Sequence, residues 1–199
     1  MTRQAISLFT QRRTQYALGK TLPIAESEVD ALIRQAIRLA PSSFNSQSWR
    51  ALILFGAAHE QLWNITRETL RPMVPADAFA STDAKMDAFA AGAGTVLFYE
   101  DQDTIKQLQQ KYALYADNFP VFSEHSAGMA QFAVWTALAE AGIGASLQHY
   151  GPLIDAEVAR TWDVPASWKL RAQMPFGANE KAIGEKSFIA DELRFKTVR

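Results

Sequence analysis

The longest helical pattern in this chain, over residues 124–141, has almost no polar face. Met129, Phe132, Ala133, Thr136, Ala137 and Ala139 allow close packing along it, and Gly142 marks its C-terminal cap. A helix of this kind needs cover on several sides, so it belongs at the centre of the fold, in a core or in a subunit interface. A membrane span is not indicated, because nowhere do about 18 consecutive apolar residues occur. With 199 residues and 48% hydrophobic content, the chain can bury one sizeable core around this helix. Neither repeats, low-complexity tracts nor internal linkers divide it, so one domain over residues 1–199 is expected.

Around that helix, helical and strand patterns alternate. Val29, Leu32, Ile33, Ala36, Ile37 and Ala40 share a helical face, with Glu26 and Glu28 at its N-terminal end and Pro41 ending it. Residues 49–55 form an apolar run of strand length, followed by helical patterns over 58–70 and 84–91 and a strand over 95–99. A short strand over 145–148, a helix over 155–162 and a strand over 169–174 complete the pattern, which indicates an α+β or three-layer α/β fold. Gly92-Ala93-Gly94 is too short for a dinucleotide fingerprint and leads into a strand rather than a helix. Residues 180–199 have mixed charge and, on composition alone, read as a disordered tail.

Composition excludes several functions. A net charge of -1 and a pI near 6.3, with scattered basic residues, leave no electrostatic footprint for nucleic acid. Cysteine is absent, so there is no disulfide and no thiol nucleophile. The first residues lack the apolar run of a secretory signal, and a cytoplasmic protein with no membrane partner is expected. His59, His125 and His149 are far apart and have no carboxylate at ligand spacing, so they read as structural and no metal is expected.

Two polar clusters stand out. Pro41-Ser42-Ser43-Phe44-Asn45-Ser46-Gln47-Ser48-Trp49-Arg50 crowds hydroxyls, amides and a guanidinium behind a helix, and can read a heterocycle edge or a phosphate without strong charge. Its composition equally suits an ordinary turn. Arg12-Arg13-Thr14-Gln15-Tyr16 follows a short apolar-patterned helix, and paired guanidiniums fit phosphate oxygens in a way a lysine does not. A solvated surface pair is the plainer alternative.

These two clusters, with Gly142-Ile143-Gly144-Ala145-Ser146-Leu147-Gln148-His149-Tyr150, resemble the FMN-dependent nitroreductase family. The similarity is greatest to its compact branch of fungal Frm2/Hbn1-like and short bacterial members. Residues 114–120, 131–140 and 168–177 extend the resemblance over nearly the whole chain. It implies a three-layer α/β/α fold with a mixed, mainly antiparallel sheet flanked by helices, in an intertwined homodimer. Residues 180–199 would then be an arm reaching the partner subunit, although Ile189-Ala190-Asp191-Glu192 departs from the proline-containing version common in relatives.

Carried over by position, the resemblance assigns Arg12, Arg13 and Thr14 to the flavin phosphate and ribityl end, with Lys186 as a further cation. Pro41, Ser42, Ser43 and Asn45 from the other subunit would lie against ring and ribityl chain, with Gln47 near the ring's polar edge. Ser146, Leu147, Gln148 and His149 would run beside the flavin. NADH or NADPH would supply electrons and a nitroaromatic or quinone would take them, in a ping-pong scheme in which flavin N5, and no side chain, carries the chemistry. Tyr115, Phe119, Phe122 and Trp135 are candidates for an acceptor pocket, though aromatic residues are more often core. An FMN-binding redox or lipid-response regulator with little turnover is the alternative. Gly144-Ala145-Ser146-Leu147-Gln148 falls short of a hydrolase elbow, because Gln148 stands where the second glycine is needed.

Overall fold

The computed structural model describes residues 3–199. In chain order it contains α1 (Gln4–Gln11), β1 (Leu18–Gly19), α2 (Glu26–Leu39), β2 (Trp49–Phe55), α3 (Gly56–Leu70), α4 (Phe79–Ala90), β3 (Gly94–Asp101), α5 (Gln102–Lys111), α6 (Phe119–Glu140), β4 (Gly144–Ala145), α7 (Asp155–Trp162) and β5 (Trp168–Asn179). The sheet runs β1-β5-β3-β2, with β4 also paired to β5, and every pairing between named strands is antiparallel. A lone parallel bridge, Thr14 to Ala145, makes it mixed.

β3 is buried along its whole length, because helices cover both faces of the sheet. On one face, Val29 and Ile33 of α2 and Val134 and Leu138 of α6 pack against Val96, Phe98, Ala172, Met174 and Phe176. On the other, Leu62 and Trp63 of α3, Met86 and Phe89 of α4 and Val158 of α7 meet Leu54, Leu97, Tyr99 and Leu170. The fold is therefore α+β in three layers, as expected. Gly94 opens β3 where a Cβ would sit 2.7 Å from the Leu54 carbonyl oxygen and would meet the Phe176 ring, so the close approach of strand and ring requires glycine here.

The long apolar helix lies against the sheet as expected, but begins at Phe119, with Pro120 in its first turn. Its core-facing side is buried, while Met129 and Phe132 remain exposed. The tail beyond β5 is exposed and almost wholly irregular. Ile183, Phe188, Ile189, Leu193, Phe195 and Val198 are all large, apolar and exposed, and Asp191–Leu193 form a 3-10 turn. No helix among the described residues is long and apolar enough to cross a membrane.

Candidate active site

After α1 the chain turns extended at Arg12 and docks onto the sheet edge. Thr14 bridges Ala145, and the Gln15 N–H donates to the Ala145 carbonyl at 2.9 Å. Two of the three sequence clusters are thereby joined in one chain. Arg12 and Arg13 diverge, as successive residues of an extended segment do. The Arg12 guanidinium lies 4.4 Å from the ring centroid of Trp135 and 5.8 Å from that of Phe132, with Nε buried and without a partner. Burial first, and the Arg13 charge second, lower its pKa. Arg13 lines a small cleft of about 110 Å³ with Gln15, Gly144, Asn179 and Ile183.

The 145–149 segment runs on beside β5. Ser146 is buried, its N–H donating to the Pro175 carbonyl and its Oγ accepting from Gln148 Nε2 at 3.0 Å. A serine so enclosed is not a nucleophile. Gln148 is buried and pairs through its backbone with Gln173, Leu147 is half-buried, and His149 is exposed. His149 opens onto a cleft of about 630 Å³, walled further by Glu124 and Gln131 of α6, Asp155 of α7, and Lys169 and Arg171 of β5. That volume suits a small-molecule ligand.

The 41–47 loop stands apart. Phe44, Asn45 and Gln47 have φ of 57°, 49° and 47°, and non-glycine residues in this region cost about 1–3 kcal/mol each. Such strain persists only where surroundings enforce it. Here the Gln47 N–H donates to Ser42 Oγ at 3.0 Å, the Ser43 N–H to Ser126 Oγ of α6 at 3.3 Å, and Arg50 Nη1 to the Gln47 carbonyl at 2.7 Å. The Phe44 ring packs among Tyr112, Tyr115, Phe119 and Phe122, with centroids 5.0 to 6.5 Å away. Pro41, Asn45 and Gln47 are left exposed.

Ser126 and Trp135 are nine residues apart on α6, roughly 13 Å along its axis. Arg12 sits over Trp135 and the 41–47 loop is tied to Ser126. Lys186 is exposed and rests 5.2 Å from the Phe188 ring of its own tail. Of the aromatic acceptor candidates, Phe119 is core, Trp135 lies under Arg12, and Tyr115 and Phe122 belong to the Phe44 cluster. Of the histidines, His59 is plainly structural, buried with Nδ1 2.8 Å from Thr95 Oγ1. No cluster of metal-ligating side chains occurs among the described residues.

Sequence reasoning missed four participants. Phe44 organises the loop, and the only signal for it was an aromatic residue inside a polar run. Glu100, fully buried, accepts from both Ser48 and Ser123. Arg171 and Asp155 wall the large cleft, and nothing in their local sequence marks them.

The sequence model of the nitroreductase family matches residues 9–178. The chain belongs to this family. Its membership and fold make it an oxidoreductase. The Saccharomyces cerevisiae relative HBN1 is 34% identical over 190 residues, 94% of each chain. Nitroreductase CinD from Lactococcus lactis is 48% identical. In its complex with nicotinic acid it superposes with a TM-score of 0.92, covering 98% of this chain and all of that one, and in its complex with 4-nitrophenol with 0.90. A Desulfitobacterium hafniense nitroreductase with bound FMN, 14% identical with a TM-score of 0.72 over all of both chains, shares the fold.

Proposed function

We propose that this chain is an FMN-dependent oxidoreductase passing electrons from NADH or NADPH to nitroaromatic or quinone-type acceptors, as a homodimer with two composite sites. The observation that carries the reading is the guanidinium of Arg12. Its Nε is buried without an acceptor, at the joint between the Arg12–Thr14 run and the 145–149 segment. A buried charged donor left unmet is costly, and a phosphate oxygen is the partner it fits.

The residues suit FMN. Arg12, Arg13 and Thr14 would hold phosphate and ribityl chain, with Lys186 brought in by the arm. Backbone and side-chain groups of Ser146, Leu147, Gln148 and His149 would border the ring, leading into the 630 Å³ cleft. The partner's Pro41, Ser42, Ser43, Asn45 and Gln47 would complete the site, since within one chain that loop is tied about 13 Å along α6 from Arg12. Exposed Met129, Phe132 and Phe9 supply an apolar surface for the dimer. When bound, FMN supplies a hydride acceptor that donor and oxidant reach in turn, the basis of ping-pong turnover. The protein orients the reactants and needs no side-chain acid or base. That a relative 48% identical was solved with 4-nitrophenol supports the acceptor class.

The purified protein should be yellow and release FMN on heating, and should oxidise NADH or NADPH when a nitroaromatic or quinone is added. FAD in place of FMN, or no flavin after reconstitution, overturns the cofactor. Bound FMN without turnover replaces the enzyme with a flavin-binding regulator.

A further inference from the structure

The large cleft beyond His149 is walled by hydrogen-bonding groups that this chain leaves unmet. Phe98 of β3 pairs with Ala172 and Tyr99 with Leu170, so Arg171 is the extra residue of a β-bulge. Bulges re-aim side chains, and this one turns the Arg171 guanidinium to the cleft. There Nη2 pairs with Glu124 of α6, while Nε is buried without an acceptor. From the first turn of α7, Asp155 presents Oδ1, buried without a donor. It lies so near Gly151 that a Cβ there would sit 3.1 Å away. Burial raises the pKa of Asp155, the charges of Arg171 and Lys169 offset only part of that rise, and among the described residues neither forms an ion pair with it.

The wall thus offers one orphan donor and one orphan acceptor in a setting where Lys169 and Arg171 offset Glu124 and Asp155. A carboxylate would face Asp155, and an isolated cation would face Lys169 and Arg171. A neutral group carrying a carbonyl beside an N–H meets both needs. We propose that this cleft binds the edge of a planar amide, the carbonyl accepting from Arg171 Nε and the N–H donating to Asp155 Oδ1. Resting on the function proposed above, two sources present that edge: the carboxamide of the nicotinamide donor and the imide of the flavin ring.

Three variants test the proposal. Arg171→Lys keeps a charge for Glu124 but removes Nε, Asp155→Ala removes the acceptor with Asp155→Leu in reserve should alanine not fold, and Glu124→Gln controls for charge alone. Initial rates are compared for NADH and its reduced 3-acetylpyridine analogue, which keeps the carbonyl and lacks the N–H. If the carboxamide binds here, the wild type prefers NADH by about tenfold in KM. Asp155→Ala erases that preference with kcat little changed, and Arg171→Lys raises KM for both dinucleotides. If the imide binds here, the preference stays, and both variants weaken FMN and lumiflavin alike, read by flavin fluorescence on flavin-free protein. Folded Arg171→Lys and Asp155 variants that move neither readout, or that match Glu124→Gln in both, overturn the proposal. If the wild type neither retains FMN nor oxidises NADH, the proposed function fails. Nicotinamide and lumiflavin titrated directly then decide the cleft: binding lost in both variants upholds it, and no binding to the wild type overturns it.

Discussion

Ser48 donates through Oγ to Oε2 of the fully buried Glu100 at 2.5 Å, and Ser123 of α6 donates to the same oxygen at 2.5 Å. One carboxylate therefore fastens the end of the strained 41–47 loop to both the sheet and the central helix. Its other oxygen, Oε1, is buried without a partner. Burial holds the Glu100 pKa above its ordinary value of 4.5 despite both hydroxyls, with Glu124 adding to the rise.

A pH dependence follows from that direction. Because the folded chain binds this proton more tightly than the unfolded one, the linked stability is fully present below the ordinary carboxylate pKa and is lost as pH rises through the raised value. Glu100→Gln cannot titrate. Its melting temperature should gain on the wild type as pH climbs from 4.5 towards neutrality, measured by thermal unfolding in matched buffers. A difference that stays constant across that range would show that Glu100 carries no such linkage.

Arg13→Ala should weaken FMN binding by about 1.5–3 kcal/mol, the size expected for a charge-assisted hydrogen bond, and should leave riboflavin affinity nearly unchanged. Titration of the flavin-free protein with both ligands checks this. Equal loss for the two would remove the phosphate from the Arg13 site. Arg12→Ala should add a stability loss of about 0.5–1 kcal/mol, because its guanidinium also covers the Trp135 ring.

The sequence made parts of this architecture legible and hid others for physical reasons. The 49–55 strand and the 155–162 helix stand in the structure with the bounds expected, since an unbroken apolar run and a clean amphipathic turn are local signals. The sequence predicts an end of β5 at Met174, yet the strand continues to Asn179, because Pro175 and Gly177 look like breakers while the sheet accommodates both. α5 leaves no apolar pattern in the sequence, being a mostly polar helix whose one buried residue is Ile105. In the candidate site, Arg12 to Thr14 stand out by side-chain chemistry and Ser146 to His149 only by the family resemblance, while the Thr14–Ala145 bridge that joins them is made by backbone. Phe44 at positive φ, Glu100 between two serines and Arg171 on a bulge owe their roles to distant packing, which one-dimensional spacing does not encode.

Gly177→Ala should be among the more damaging small substitutions. A Cβ at Gly177 would run into the Gly19 carbonyl oxygen and come within 3.0 Å of the Ala93 nitrogen, and backbone atoms cannot swing aside. The pairing of β1 with β5, Leu18 to Asn179 and Gly19 to Ala178, would have to open. A loss of about 1–3 kcal/mol is expected in denaturant unfolding. Gly19→Ala is the control, because its Cβ meets only the flexible Glu180 side chain and should cost less.

Dimerisation and flavin binding should be coupled. Along α6, Met129 and Phe132 are exposed, and with Phe9, Leu39 and Pro41 they line an apolar trough of about 440 Å³ that this chain does not fill. The tail's Phe188, Ile189, Leu193 and Phe195 are equally uncovered. If the partner covers these faces and its 41–47 loop completes each site, a ligand that binds only the assembled dimer stabilises it by mass action. Added FMN should raise the melting temperature and move a dilute sample towards dimer in sedimentation. Met129→Asp, which buries a charge in that interface, should favour monomer and weaken FMN together. A monomeric Met129→Asp that keeps full FMN affinity would place the whole flavin site within one chain, and would leave the strain at Phe44, Asn45 and Gln47 without a role in binding.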